Sequence, residues 1–134
     1  MPWRSIRWRP VGHGAALLVA LVLAGCNSGP NIVKVSGTVT RGGKALPGVE
    51  LFFEPDQGRQ STAITDDQGR FTLHYDQHQE GAVKGHHKVH VRLVRAPLAA
   101  EDREAVRAKY GDRDHPNLEY TLDKDTTDLE IKLD

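Results

Sequence analysis

The stretch VELFFEP at residues 49–55 decides the fold class of this chain. Within it, apolar valine, leucine and phenylalanine alternate with two glutamates and a second phenylalanine, Phe52, before Pro55 ends the run. Because successive side chains of a strand point to opposite faces, this period of two predicts a β-strand with one buried and one wet face. Phe52 then lies on the wet face, and we expect a neighbouring segment, a ligand or a partner to cover it.

The same alternation recurs on both sides of this stretch and predicts six further strands. Turn signals at 41–44 and 66–69 separate some of them, and one short strand is expected near 61–65. The inward residues of the other strands are Val33, Val35, Val39, Phe71, Leu73, Tyr75, Val89, Val91, Leu93, Leu118, Tyr120, Leu122, Leu129, Ile131 and Leu133. Seven strands that each bury one face predict an all-β domain over residues 32–134, a seven-stranded antiparallel β-sandwich.

One segment departs from this pattern. Residues 98–110 are rich in helix formers and are followed by Gly111, a residue type common just after a helix. Their apolar residues do not form a strong stripe. We therefore expect a short helix or turn that lies against a sheet edge or over one end of the sandwich and covers Phe52.

Residues 1–25 have the composition of a secretory signal peptide. They carry three arginines and no acidic residue, then an apolar run at 15–23 and a small-residue exit. The apolar run is shorter than the roughly 20 residues that a transmembrane helix needs. Because three of the 18 basic residues and none of the 18 acidic ones lie in this segment, its removal leaves a mildly acidic domain. Such a domain lacks the basic surface of a nucleic-acid binder.

The signal ends in Leu23-Ala24-Gly25-Cys26, which resembles the bacterial lipobox. The resemblance implies cleavage before Cys26, a diacylglycerol on its thiol, and residues 26–31 as a lipidated tether. It implies a lipid-anchored protein of the cell envelope, and Asn27 in place of the inner-membrane aspartate favours the outer membrane, on its periplasmic or its outer surface. The alternatives are an ordinary cleaved signal with an incidental cysteine and a structural thiol.

Histidines are candidate metal ligands only where they converge on one point. His90 could meet His74 from a neighbouring strand, but Lys88 and Arg92 share the predicted face of His90 and repel cations. The acidic turn at 66–69 lacks the spacing of a calcium loop. The serines have no Gly-x-Ser-x-Gly context. We therefore predict no metal, no cofactor and no catalytic residue, and we retain Phe52, His74 and His90 as candidate ligand or partner contacts.

Several motifs in order resemble the carboxypeptidase regulatory-like (transthyretin-like) domains that are often attached to bacterial lipoproteins. They are VSGTV at 35–39, GKALPG at 43–48, VELFF at 49–53, TDDQGRF at 65–71 and GHHKVHV at 85–91. The resemblance spans residues 33–95 and implies a prealbumin-like sandwich of seven strands, usually non-catalytic. The same superfold includes 5-hydroxyisourate hydrolases, which end in Tyr-Arg-Gly-Ser, whereas residues 130–134 read EIKLD.

Three functions follow as hypotheses. The first is a non-catalytic, membrane-anchored structural or interaction module that contacts envelope proteins or polysaccharide. The second is a carbohydrate- or ligand-binding module, which predicts an exposed aromatic residue or a groove on one sheet face. The third is a transthyretin-like hydrolase, which predicts a pocket where His, Arg and acidic side chains converge, whereas a spacer predicts none of these.

Overall fold

The computed structural model describes residues 29–134, so the predicted signal peptide and Cys26 lie outside the described residues. Within this range the chain is mostly β and contains one short helix. The strands are β1 (Ile32–Val33), β2 (Val35–Arg41), β3 (Lys44–Ala45), β4 (Val49–Pro55), β5 (Ser61–Ile64), β6 (Arg70–Thr72), β7 (Ala82–Val83), β8 (Gly85–Leu93), β9 (Leu118–Leu122) and β10 (Thr126–Lys132), and the helix is α1 (Ala100–Tyr110).

Two four-stranded sheets make up most of the domain. One has the strand order β5-β4-β8-β9, and the other has the order β10-β2-β3 with β6 also paired to β2. A small third sheet pairs β1 with β7. The inward residues of both large sheets belong to one hydrophobic core, as a β-sandwich requires.

The expectation of seven antiparallel strands was wrong in two respects. The described chain forms ten strands, of which β1, β3 and β7 have only two residues and are too short to show an alternating pattern. In addition, β10 pairs with β2 in parallel. The chain crosses from β9 to the other sheet at the end where β2 begins, and the Thr126 N–H there donates to the carbonyl of Lys34 at 2.8 Å. Both strands therefore start at the same end, a property that side-chain alternation does not reveal.

Gly37 allows the parallel pair to form. It lies opposite Leu129 in the register, and a Cβ atom at this position would stand 1.8 Å from the Leu129 carbonyl oxygen. Any side chain would force the two backbones apart, so the close approach of β2 and β10 requires glycine here.

The two ends of the sheets differ in what they contain. We call the end with Asn31, residues 55–60 and residues 123–125 the N-terminal end, and the end with the 41–44 turn and Leu133 the distal end. At the N-terminal end the backbone N–H of Lys84 donates to the Asn31 carbonyl at 2.8 Å. The last residue of the predicted tether, Asn31, is therefore bound to the fold.

The predicted helix is confirmed, over Ala100–Tyr110 rather than from Leu98. It packs against β8 through the buried side chains of Val106 and Tyr110. Gly111 directly follows the last helical residue, as expected, and is the C-cap with a right-handed φ of −88°. No helix formed by residues 29–134 is both long enough and apolar enough to cross a membrane.

Two polar side chains lie inside the core. His87 is fully buried on the same face of β8 as Val89 and Val91, and its Nε2 donates to the Val83 carbonyl at 2.6 Å. Its Nδ1 and the hydroxyl of buried Ser61 have no hydrogen-bond partner within the described part of the chain. Unpaired buried polar atoms of this kind reduce the stability of a fold.

Candidate functional site

The outward face of the β5-β4-β8-β9 sheet carries the candidate contacts predicted from the sequence. Phe52 lies directly opposite His90 of β8 on one side and Thr62 of β5 on the other. An isolated bridge then pairs Thr62 with His74, which continues the row. Residues directly opposite one another in antiparallel strands point to the same face, so all four side chains share the outward face.

The row brings Phe52 and His90 together but keeps His74 apart. Three strand spacings separate His74 from His90, a distance of about 14 Å. The two histidines therefore cannot bind one metal ion. The structure also groups no three His, Cys, Asp or Glu side chains into a metal-binding cluster between residues 29 and 134.

His74 lies at the far edge of this row and lines a separate depression with residues from the N-terminal end. It is exposed and exchanges backbone hydrogen bonds with Thr62 at 3.1 and 2.9 Å. Nearby, the guanidinium carbon of Arg59 lies 5.8 Å from the ring centre of Tyr75. These groups line an open depression of about 390 Å³.

Phe52 and His90 form a stacked pair. Their ring centres are 4.6 Å apart and their planes differ by 4°. Phe52 is half-buried, and the side chain of His90 keeps 14% of its exposure. Direct opposition on neighbouring strands produces this stack, which contributes about 0.5–1.5 kcal/mol.

Ion pairs lie on both sides of the stack along the strands. Toward the distal end, the Arg92 Nε donates to Glu50 Oε2 at 2.7 Å, and the Arg92 guanidinium carbon lies 5.8 Å from the Phe52 ring centre. Toward the N-terminal end, Glu54 accepts from Arg113, a residue of the segment after α1, at 2.7 and 2.8 Å. This carboxylate raises the pKa of Arg113.

The environment of His90 favours its neutral form. Burial lowers the pKa of His90 below its ordinary value of 6.5. The Glu54 carboxylate, whose Oε2 lies 4.0 Å from Nδ1, opposes this shift, while the positive charge of Arg113 adds to it. His90 is therefore uncharged at neutral pH and acts there as an aromatic surface rather than as a cation.

A cleft of about 400 Å³ opens between the stacked pair and α1. Arg107 and Gly111, at the C-terminal end of the helix, form one wall. The lining residues are Phe52, His90, Val91, Arg92, Leu93, Arg107 and Gly111, and none of these described residues is acidic. We call this space the aromatic cleft.

The helix does not bury Phe52 as the sequence suggested. It packs beside Phe52 on β8 and leaves the aromatic cleft between them. Arg107 was missed because its role depends on how α1 docks, which Val106 and Tyr110 determine. The alternation of Arg92 with Val91 and Leu93 placed it correctly on the face of His90, but as a residue that repels cations rather than as a ligand contact.

A larger groove of about 560 Å³ lies next to the cleft, toward the N-terminal end. Its lining residues are Glu54, Pro55, Asp56, Gly58, Gln60, Lys88 and Arg113. Two of its charged groups already bind each other, Glu54 with Arg113, and Asp56 contacts His86 at 3.1 Å. A ligand would have to break these pairs, whereas Arg107 of the aromatic cleft has only a 3.4 Å contact with an exposed glutamate. The aromatic cleft is therefore the better candidate despite its smaller volume.

The aromatic cleft combines an apolar floor with cationic groups on two walls, which suits a ligand that has a flat apolar face and an acidic substituent. The described residues that line it include no serine, threonine or cysteine that could act as a nucleophile. In comparisons with known proteins, the chain matches no protein-family model, no curated protein and no solved structure.

Proposed function

We propose that this protein is a lipid-anchored, non-catalytic binding module of the cell envelope, and that the aromatic cleft is its recognition surface. The observation that carries the proposal is the stacked Phe52–His90 pair on the outward sheet face, beside Arg92 and Arg107. A protein that served only as a spacer would need neither an aromatic pair on a wet face nor a cleft beside it.

The small number of residues between Cys26 and the first strand supports the anchored arrangement. The ordered domain begins at Ile32, and five extended tether residues reach only about 17 Å. The N-terminal end would then face the lipid surface. The aromatic cleft includes Arg92 and Leu93, which pair with the first residues of β4 toward the distal end, so it stays open to other envelope components.

The finer architecture is part of the same proposal. The ordered motifs at 35–39, 43–53, 65–71 and 85–91 support a prealbumin-like, carboxypeptidase regulatory-like domain. The mature chain would belong to the outer membrane, with membrane lipid as its partner through Cys26 and an envelope polysaccharide or protein in the cleft.

Two measurements test the proposal. Mass spectrometry of the native protein should find an N-terminal Cys26 carrying acyl chains, and Cys26→Ser should move the protein from the membrane to the soluble fraction. A column carrying residues 27–134 should retain a component of solubilised envelope, and Phe52→Ala should abolish retention while Ile64→Ala, at an exposed position of β5, should not. An unmodified thiol, or equal retention by all three columns, would contradict the proposal.

The hydrolase hypothesis has one observation in its favour. His90, Glu54 and Arg113 converge on the same sheet face, with His90 Nδ1 4.0 Å from Glu54. As a base, His90 would act on a bound water molecule. Hydrolysis of 5-hydroxyisourate that is lost in His90→Gln would establish this activity and overturn the non-catalytic proposal.

A further inference from the structure

We propose that the aromatic cleft binds a carboxylated sugar, namely the hexuronate units of an acidic envelope polysaccharide. This inference rests on the proposed function and specifies its ligand. Three features support it: the charges on the two walls of the cleft, its apolar floor and the overall charge of the domain.

The walls of the cleft present cations without a competing carboxylate among the described lining residues. Arg92 comes from β8 and Arg107 from α1, so the two guanidinium groups approach from different elements. The Nε and Nη2 groups of Arg92 both contact the carboxylate of Glu50. Arg107 has a weaker contact, at 3.4 Å to Glu104, and the side chains of Arg107 and Glu104 are each about two-thirds exposed. Arg107 is therefore available for a bidentate bond to a ligand carboxylate.

The floor of the cleft suits a sugar ring. Phe52, neutral His90 and the partly buried Leu93 offer aromatic and aliphatic surface, against which the C–H face of a pyranose can pack. Val91 also lines the cleft, but its side chain is buried in the core. The ring hydroxyls would remain at the solvent-exposed mouth. A volume of about 400 Å³ holds a short oligosaccharide rather than a single small acid, and an open cleft lets a polymer continue on both sides.

The overall charge argues against denser polyanions. The domain that follows the predicted signal is mildly acidic, since all 18 acidic residues and 15 of the 18 basic ones lie outside residues 1–25. A phosphate polymer with the charge density of duplex nucleic acid, about one charge per 1.7 Å of axis, needs a basic surface. One carboxylate per sugar ring matches two separated arginines better.

The test uses residues 27–134, which contain the whole described fold, and trigalacturonate as the probe. Isothermal titration and backbone amide shifts should show binding, with the largest shifts at Phe52, His90 and Arg107. The fully methyl-esterified trisaccharide should bind at least about tenfold more weakly, because it lacks the carboxylates that pair with arginine. Benzoate should not displace trigalacturonate at equal concentration.

Two matched arginine variants locate the site. Arg107→Gln should weaken binding about tenfold, whereas Arg95→Gln, which removes an exposed arginine outside the cleft, should change it less than twofold. Thermal unfolding checks that both variants remain folded. Equal affinity for acid and ester, equal effects of the two variants, or displacement by benzoate would overturn the inference. If trigalacturonate fails to bind while envelope retention still depends on Phe52, the ligand class is wrong and the proposed function stands.

Discussion

The two faces of β8 carry different kinds of residue and are ordered by different interactions. On the inner face, His87, Val89 and Val91 are almost completely buried in the shared core. On the outer face, His90 and Arg92 keep contact with water and are held by partners on β4. Burial alone specifies the inner residues. The outer ones depend on cross-strand pairing and on where α1 docks, so the candidate site was harder to predict than the core.

The largest expected difference is between adjacent phenylalanines of β4. Phe53→Ala removes a side chain with 0% exposure and should reduce the free energy of unfolding by about 3–5 kcal/mol. Phe52→Ala removes the half-buried stack on His90 and should cost about 1 kcal/mol. Urea denaturation measures both. Equal losses would mean that the two faces of the sheet do not differ as described.

The adjacent histidines of β8 provide a second comparison, with a smaller effect. His87→Ala leaves a cavity and an unpaired Val83 carbonyl, at a cost of about 2–3 kcal/mol. His86→Ala removes a surface side chain and should leave stability at pH 8 unchanged. Thermal melting at pH 8 separates the two outcomes, and a clear loss in His86→Ala would show that the surface contacts matter more than burial.

The pKa values of the two outer histidines, His86 and His90, should lie on opposite sides of the ordinary value of 6.5. Hydrogen bonds to Asp56 and Glu119 raise the pKa of His86, whereas burial lowers the pKa of His90. The contacts of His86 therefore stabilise the fold fully below pH 6.5 and lose this effect as the pH rises through the higher folded pKa. For His90 the sign is reversed, and stability falls as the pH drops below 6.5 toward the folded pKa.

Proton NMR of the imidazole C–H signals measures both values. Asp56→Asn should lower the pKa of His86 and leave that of His90 in place, whereas Glu54→Gln should lower the pKa of His90 further. Two superimposable titration curves in the native protein would contradict the assigned environments.

The smallest effect belongs to the exposed ion pair of Arg92 and Glu50. A double-mutant cycle of Arg92→Gln and Glu50→Gln should give a coupling of about 0–1 kcal/mol that decreases with added salt. A larger coupling that is insensitive to salt would mean that the pair is shielded from water and that the outer face resembles the inner one.

Much of the fold could be predicted because alternation reports directly on burial. It placed Val89 and Val91 inside, and the composition of residues 98–110 predicted the helix before Gly111. Alternation carries no information on strand direction, so the parallel pairing of β10 was missed. It also gives no distance across a sheet, which is why His74 and His90 could be considered together although two strands separate them.

The candidate site was only partly predictable for a related reason. Phe52 was noticed because an aromatic residue between two glutamates breaks the local pattern. Arg107 gave no such signal, since an arginine on a short, weakly amphipathic helix is ordinary. Its place beside Phe52 arises only from tertiary packing.

The parallel pairing of β10 with β2 has a consequence for folding during synthesis of the protein. These strands meet through contacts between residues about ninety positions apart, such as the bond from the Lys34 N–H to Asp125, 91 residues away. Until β10 emerges from the ribosome, β2 lacks its parallel neighbour, and the core lacks Ile131 and Leu133. Contacts this distant in sequence slow folding. Under the proposed secretion of this protein, such a delay keeps the chain extended while it crosses the membrane.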